Sequence, residues 1–178
     1  MAVFNLETLD SLIEYNTKFA TELYKKDKTI STLIVGYPPD NSKRLCFMGE
    51  FKNAKEKSIF VEMVKLHFLA YNIDKYVIMC EAWCIETNDK KEHTKYPSLQ
   101  QHPNKIESLM ILANNKIGQK IKMFKITAEK DLEFWRDYDG ILEGTFSDLL
   151  PKEKLQEEKR KLLFDALKKF GQQEEMIN

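Results

Sequence analysis

Between Tyr76 and Glu86 the chain reads Tyr-Val-Ile-Met-Cys-Glu-Ala-Trp-Cys-Ile-Glu, without Pro or Gly. Val77, Met79, Trp83 and Ile85 fall on one side of an extended strand, and Ile78, Cys80, Ala82 and Cys84 on the other. A strand that is apolar on both faces is covered on both, by helices or by a second layer. Glu81 is the misfit. Burying its carboxylate costs several kcal/mol unless it is paired or hydrogen-bonded.

The flanking patterns predict the other elements. Leu9, Leu12, Ile13, Asn16, Phe19, Ala20 and Leu23 form one stripe of a helix over 6–26, with Asn5 as its N-cap and Phe4 and Leu9 at hydrophobic-staple spacing. Thr29 to Tyr37 predict a strand, Pro38-Pro39-Asp40-Asn41 a turn, and Arg44 to Phe51 the returning strand of a hairpin. Because Pro38 and Pro39 cannot donate to a ladder, this end faces solvent, and Tyr37-Pro38-Pro39 is a candidate contact surface. Asn53 and Glu56 make a capping box for a helix reaching Tyr71. That helix is apolar over much of its circumference, through Ile59, Phe60, Met63, Val64, Leu66, His67, Phe68 and Ala70. This suits a helix lying across a sheet, with His67 a core histidine.

After the central strand, 87–104 is a polar stretch holding two prolines, long enough for a functional or mobile loop. Residues 105–117 and 120–127 then predict an antiparallel pair. Leu132, Phe134, Trp135 and Tyr138 predict a further short strand before a turn at Asp139-Gly140, and Phe146 to Leu150 a short helical turn. A last helix, 152–170, starts after Pro151 and stops at Gly171, leaving 172–178 as a frayed tail. Its stripe is Leu155, Leu162, Leu163, Ala166, Leu167 and Phe170. The resulting order, α-β-β-α-β-β-β-α, predicts an α+β fold in one domain over 1–171, a single antiparallel sheet with helices packed on it. Roadblock and profilin-like domains are similar in order of elements, a likeness of topology that carries no function.

Charge narrows the choice of partner. The 28 Lys and Arg balance 28 Asp and Glu over 178 residues, so no global field draws the protein to nucleic acid or an anionic membrane. Locally, 88–125 holds eight Lys against three acids, and 127–148 seven acids against Lys130 and Arg136. Lys116, Lys120, Lys122 and Lys125 would form a modest basic strip able to touch phosphates, although edge lysines more commonly keep a strand from pairing. No run is long enough to span a membrane, and the N-terminus has neither the basic nor the apolar region of a signal peptide. Cys80 and Cys84 would lie about 13 Å apart on one strand face at ~3.3 Å per residue, too far for a disulfide, which needs Cα atoms within ~7 Å. With Cys46 they read as free thiols in a reducing cytoplasm.

The sharpest candidate chemistry is Glu81, His102 and Glu107. If 76–86 pairs with 105–117, a histidine and two carboxylates approach one end of the hairpin, able to bind a metal or to act in acid–base catalysis. Glu81-Ala82-Trp83, then Pro97-Ser98, His102-Pro103, Lys105 and Glu107 ahead of an apolar strand resemble a family of uncharacterised bacterial and phage proteins. Its segments read Ser-Glu-Ala-Trp, then Pro-Ser-Glu-His-Pro-Asp-Arg and a Glu two residues on. Here Cys80 replaces the Ser, two glutamines precede His102, and Lys105 stands for the Arg. The likeness covers the central hairpin alone and implies a bacterial or phage source. It also implies that Glu81 pairs with Lys105 or a neighbouring base.

Glycine-rich phosphate loops, Gly-x-Ser-x-Gly and metal-spaced His or Cys pairs are absent, so no cofactor is expected. By elimination the sequence points to a cytoplasmic protein-binding module that engages a protein partner or self-associates. The alternative is a small metal-dependent or acid–base hydrolase using Glu81, His102 and Glu107, which would converge within ~5 Å in a cleft with perturbed titration. Nucleic-acid binding along the Lys116–Lys125 hairpin is the weaker third reading. A binding module predicts a contiguous apolar patch or a symmetric dimer contact.

Overall fold

The computed structural model describes residues 6–41, 43–87, 91, 94–139, 146 and 148–175, with side chains as far as 169. Its elements are α1 (Leu9–Asp27), β1 (Thr32–Tyr37), β2 (Leu45–Gly49), α2 (Ala54–Ala70), β3 (Lys75–Cys84), β4 (Ile106–Asn115), β5 (Gln119–Ile126), β6 (Leu132–Asp139) and α3 (Glu157–Glu175). The strands form one antiparallel sheet in the order β2-β1-β3-β4-β5-β6. The fold is α+β.

Strand β3 is central because its alternating residues feed two cores. Val77 and Met79 pack with Leu12, Ile13, Ala20 and Tyr24 of α1 and with Leu109 and Ile111 of β4. Tyr76, Ile78 and Cys80 pack on the opposite face with Val61, Val64 and Phe68 of α2, where Leu149 closes the cluster. The apolar run of β3 is thus covered on both sides, α1 on one and α2 on the other. Helix α3 lies outside this sandwich against the C-terminal end of α2, with Phe164 edge-on to Tyr71 at 5.0 Å.

The helix ends show which local signals prevail. Thr8 caps α1: its Oγ1 accepts from the Ser11 amide at 3.1 Å and the Ser11 hydroxyl oxygen accepts from the Thr8 amide at 3.3 Å. This places the start three residues beyond the expected cap, and Phe4 and Asn5 lie outside the described residues. Asn53 caps α2 as expected, accepting from the Glu56 amide at 2.9 Å, while Glu56 accepts from the Lys52 amide. Helix α3 starts at Glu157 rather than just after Pro151. Glu157 and Glu158 suit the positive end of a helix, whereas Lys152 and Lys154 oppose it.

Nor does α3 stop at Gly171; it runs on to Glu175, because an interior glycine costs a helix only ~1 kcal/mol. The side chain of Phe170 is outside the described residues, as is Gly140. Asp148 to Leu150 are not helical. At the far edge, Met123 pairs with Arg136 but Phe124 with Phe134, so Trp135 is the extra residue of a β-bulge.

Candidate functional site

Glu81 and Glu107 come to the same face of neighbouring strands. Glu81 lies opposite Leu109 and Glu107 opposite Trp83, all on the α1 side. Glu81 Oε1 accepts from the backbone amide of Ile30 at 2.8 Å, which ties the link between α1 and β1 to the central strand. Glu107 takes both its short contacts, 2.9 and 3.1 Å, from Lys130 Nζ in the turn between β5 and β6. Lys105 does not pair with Glu81 as the resemblance implied. Its Nζ donates to the Gln100 carbonyl oxygen at 2.6 Å and lies 4.8 Å from the centre of the Trp83 ring.

His102 is buried at the end of a single 3₁₀ turn, Leu99–Gln101. Its Nδ1 accepts from the Asn104 amide at 3.0 Å, and its ring meets Tyr96 edge-on at 4.6 Å. Among the described residues no group of three or more His, Cys, Asp and Glu side chains is placed to hold a metal ion. Each of the three sequence candidates has its own partner, and each partner is an element of the fold.

Sequence reasoning passed over Tyr24, whose buried hydroxyl has no hydrogen-bond partner among the described residues. Burial raises its pKa; Lys130 opposes this, and the charges of Glu81, Glu107 and Asp131 reinforce it. The hydroxyl therefore stays protonated beside a carboxylate-rich corner, a donor without an acceptor. Nearby, Lys28 adopts φ 56° at the end of α1 and is anchored by Asp131 at 3.1 Å.

The expected contact surface divides. Tyr37 is buried at 1% exposure, with its hydroxyl bonded to Asn16, and Pro38 is half-buried, so the reading of an exposed Tyr-Pro-Pro turn is corrected to an exposed Pro39 beside a half-buried Pro38. The lysines of β5 are paired. Lys120 binds Asp10 of α1 and Asp139 of β6, and Lys122 binds Glu14 of α1 and Asp137 of β6. Lys125 lies over Trp135 at 5.0 Å. Only Lys116 of that strip has the exposure expected of a free basic side chain.

The surface that does emerge is the outer side of α2. Val61, Val64 and Phe68 point into the core, yet Ile59, Met63 and Leu66 remain 61%, 39% and 45% exposed. Their i, i+4, i+7 spacing aligns them along one line of the helix. Concavities of about 310–330 Å³ border its C-terminal half: one with Leu66, Leu69, Leu150 and Pro151, one with Tyr71, Arg160 and Phe164, and one with Pro38, Pro39, Lys43 and Arg160. Helix α3 adds exposed Leu162 and has no buried residue among its described side chains. The sequence signal for this surface was the width of the apolar arc on α2, which exceeds what one sheet covers.

Comparison with protein-family models, curated proteins and solved structures gives no match. Among the described residues no helix is long and apolar enough to cross a membrane.

Proposed function

We propose that this chain is a protein-binding module whose docking surface is the outer side of α2, flanked by α3 and residues 148–152. The observation that carries the reading is the exposed line Ile59, Met63 and Leu66 on a helix whose opposite side is already buried. A helix apolar on two sides gains stability from burying both, and an exposed apolar line bordered by concavities is the usual form of a protein contact. Glu62, Lys65 and Lys152 around it supply a polar rim. The free cysteines, Cys46 exposed and Cys80 buried, support a reducing, cytoplasmic setting.

The test is photo-crosslinking in cells from a reactive residue at position 62, with exposed position 18 on α1 as control. The expected result is a discrete cross-linked species from position 62 alone. No product from 62, or the same products from both positions, would overturn the reading.

A further inference from the structure

Resting on that reading, we infer that the partner presents a peptide segment with an Asp or Glu between apolar residues, and seats that carboxylate on Arg160 of α3. Two of the concavities beside α2 share Tyr71 and Arg160 in their linings, so they adjoin at this pair. One, of about 320 Å³, continues to Ala70 and Phe164; the other, of about 330 Å³, continues to Pro38, Pro39 and Asn72. Each offers apolar surface, and a guanidinium stands where they meet. Ala70 follows Leu66 at i+4, so this seat extends the exposed line of α2 towards α3.

Among the described side chains of α3, Arg160 is the one basic group that is half-buried; Lys159, Lys161, Lys168 and Lys169 are exposed. Yet among the described residues its guanidinium has no ion pair, ring contact or hydrogen bond. A guanidinium partly withdrawn from water with its N–H donors unmatched is costly, and a carboxylate matches that planar fork with two parallel bonds. Neither acid of the two linings supplies it. Asp40 has a partner other than Arg160, and Glu157, one helical turn before Arg160, stays exposed and unpaired.

Charge around the seat favours an anion. Lys43 lies in one lining and Lys161 in the other, both without partners among the described residues, so three cations face the one unpaired acid, Glu157. With Asp40 counted the balance is still positive. The walls set the kind of anion. A nucleic-acid backbone would draw a run of phosphates across Phe164, Pro38 and Pro39, whereas a peptide with a single acid places apolar side chains there.

The experiment is photo-crosslinking in cells from a reactive residue at position 43, which is exposed in the turn between β1 and β2. The cross-linked segment, mapped by mass spectrometry, is expected to hold an Asp or Glu flanked by apolar residues. A labelled synthetic copy of that segment should bind the full chain in fluorescence anisotropy. Arg160→Glu should weaken this binding about tenfold or more, and Arg160→Gln by several-fold, with unchanged circular dichroism spectra. Replacing the acid of the peptide with lysine should restore binding to Arg160→Glu and weaken it to the wild-type chain.

If position 43 captures nothing while position 62 still captures a partner, the docking surface stands and the seat at Arg160 falls; if neither captures anything, both readings fall. A mapped segment without an acid overturns the inference. So does binding that is indifferent to both Arg160 variants, or a lysine peptide that binds Arg160→Glu no better than the original does.

Discussion

The hydroxyl of Tyr37 donates to Asn16 Oδ1 at 2.9 Å inside the core, and Asn16 Nδ2 in turn donates to the Leu12 carbonyl oxygen at 2.8 Å. This chain joins the end of β1 to the middle of α1. Tyr37→Phe keeps the ring but leaves Asn16 Oδ1 buried without a donor, and the cost expected is about 1–3 kcal/mol in urea denaturation. Adding Asn16→Leu to that variant should recover part of the loss, because no polar atom is then stranded.

The same tyrosine sets an alkaline limit. Burial pushes the Tyr37 hydroxyl from the usual 10 up to about 12, opposed by the hydrogen bond to Asn16 and the charge of Arg44. The folded state therefore holds a proton that the unfolded chain releases above pH 10. Stability is fully retained below pH 10 and falls as pH rises towards about 12, by up to ~1.4 kcal/mol per pH unit from this residue. Burial also raises Tyr76, which steepens the decline. Denaturation at pH 9 and pH 11 should show the fall, and Tyr37→Phe should make it shallower.

Glu81→Ala removes the acceptor for the Ile30 amide and should destabilise the fold by about 1–3 kcal/mol. Glu81→Gln keeps a carbonyl oxygen at the same reach and should cost less than half as much. Equal losses in the two variants, measured by chemical denaturation, would show that the charge and not the hydrogen bond is what matters.

At Gly36 an added Cβ would sit 2.6 Å from Phe68 Cε1 and 3.2 Å from Ile73 Cγ2. Gly36→Ala is expected to cost about 1–3 kcal/mol by overpacking. Phe68→Leu in the same chain should return part of it, and thermal melts of the single and double variants decide the point.

Thiol labelling should separate the three cysteines. Cys46 is exposed, whereas burial pushes the Cys80 thiol up to about 11 and raises Cys84, which also contacts the Ser108 hydroxyl at 3.3 Å. One rapid modification at Cys46 is expected by mass spectrometry at neutral pH, with Cys80 reacting only after denaturant is added.

The fold was legible wherever a residue's surroundings depend on its near neighbours. The two-faced run of β3 announces a strand covered on both sides, and Asn53 with Glu56 announces the start of α2. Tyr37 was misread because it is buried in the core that α1 covers, a distant element in the chain, while the adjacent prolines speak only of a turn. Glu81 was recognised as anomalous but not resolved, since its partner is a main-chain amide and leaves no mark in composition. The exposed line on α2 was read as core because periodicity reports that a face is apolar and not how much of it the rest of the chain can cover.

Helix α1 precedes every strand, yet the core it completes includes Leu109, Ile111 and Ala113 of β4, and its Asp10 and Glu14 find Lys120 and Lys122 on β5. On a ribosome adding roughly 5–20 residues per second, the hundred or so residues between them take on the order of 5–20 s to appear. For most of that interval the apolar stripe of α1 can rest only on β1 and then β3, through Val35, Tyr37, Val77 and Met79. The hairpin β1-β2 closes first and β3-β4, β4-β5 and β5-β6 follow in sequence, so the nascent chain is expected to complete the seat of its first helix only when β4 and β5 have emerged.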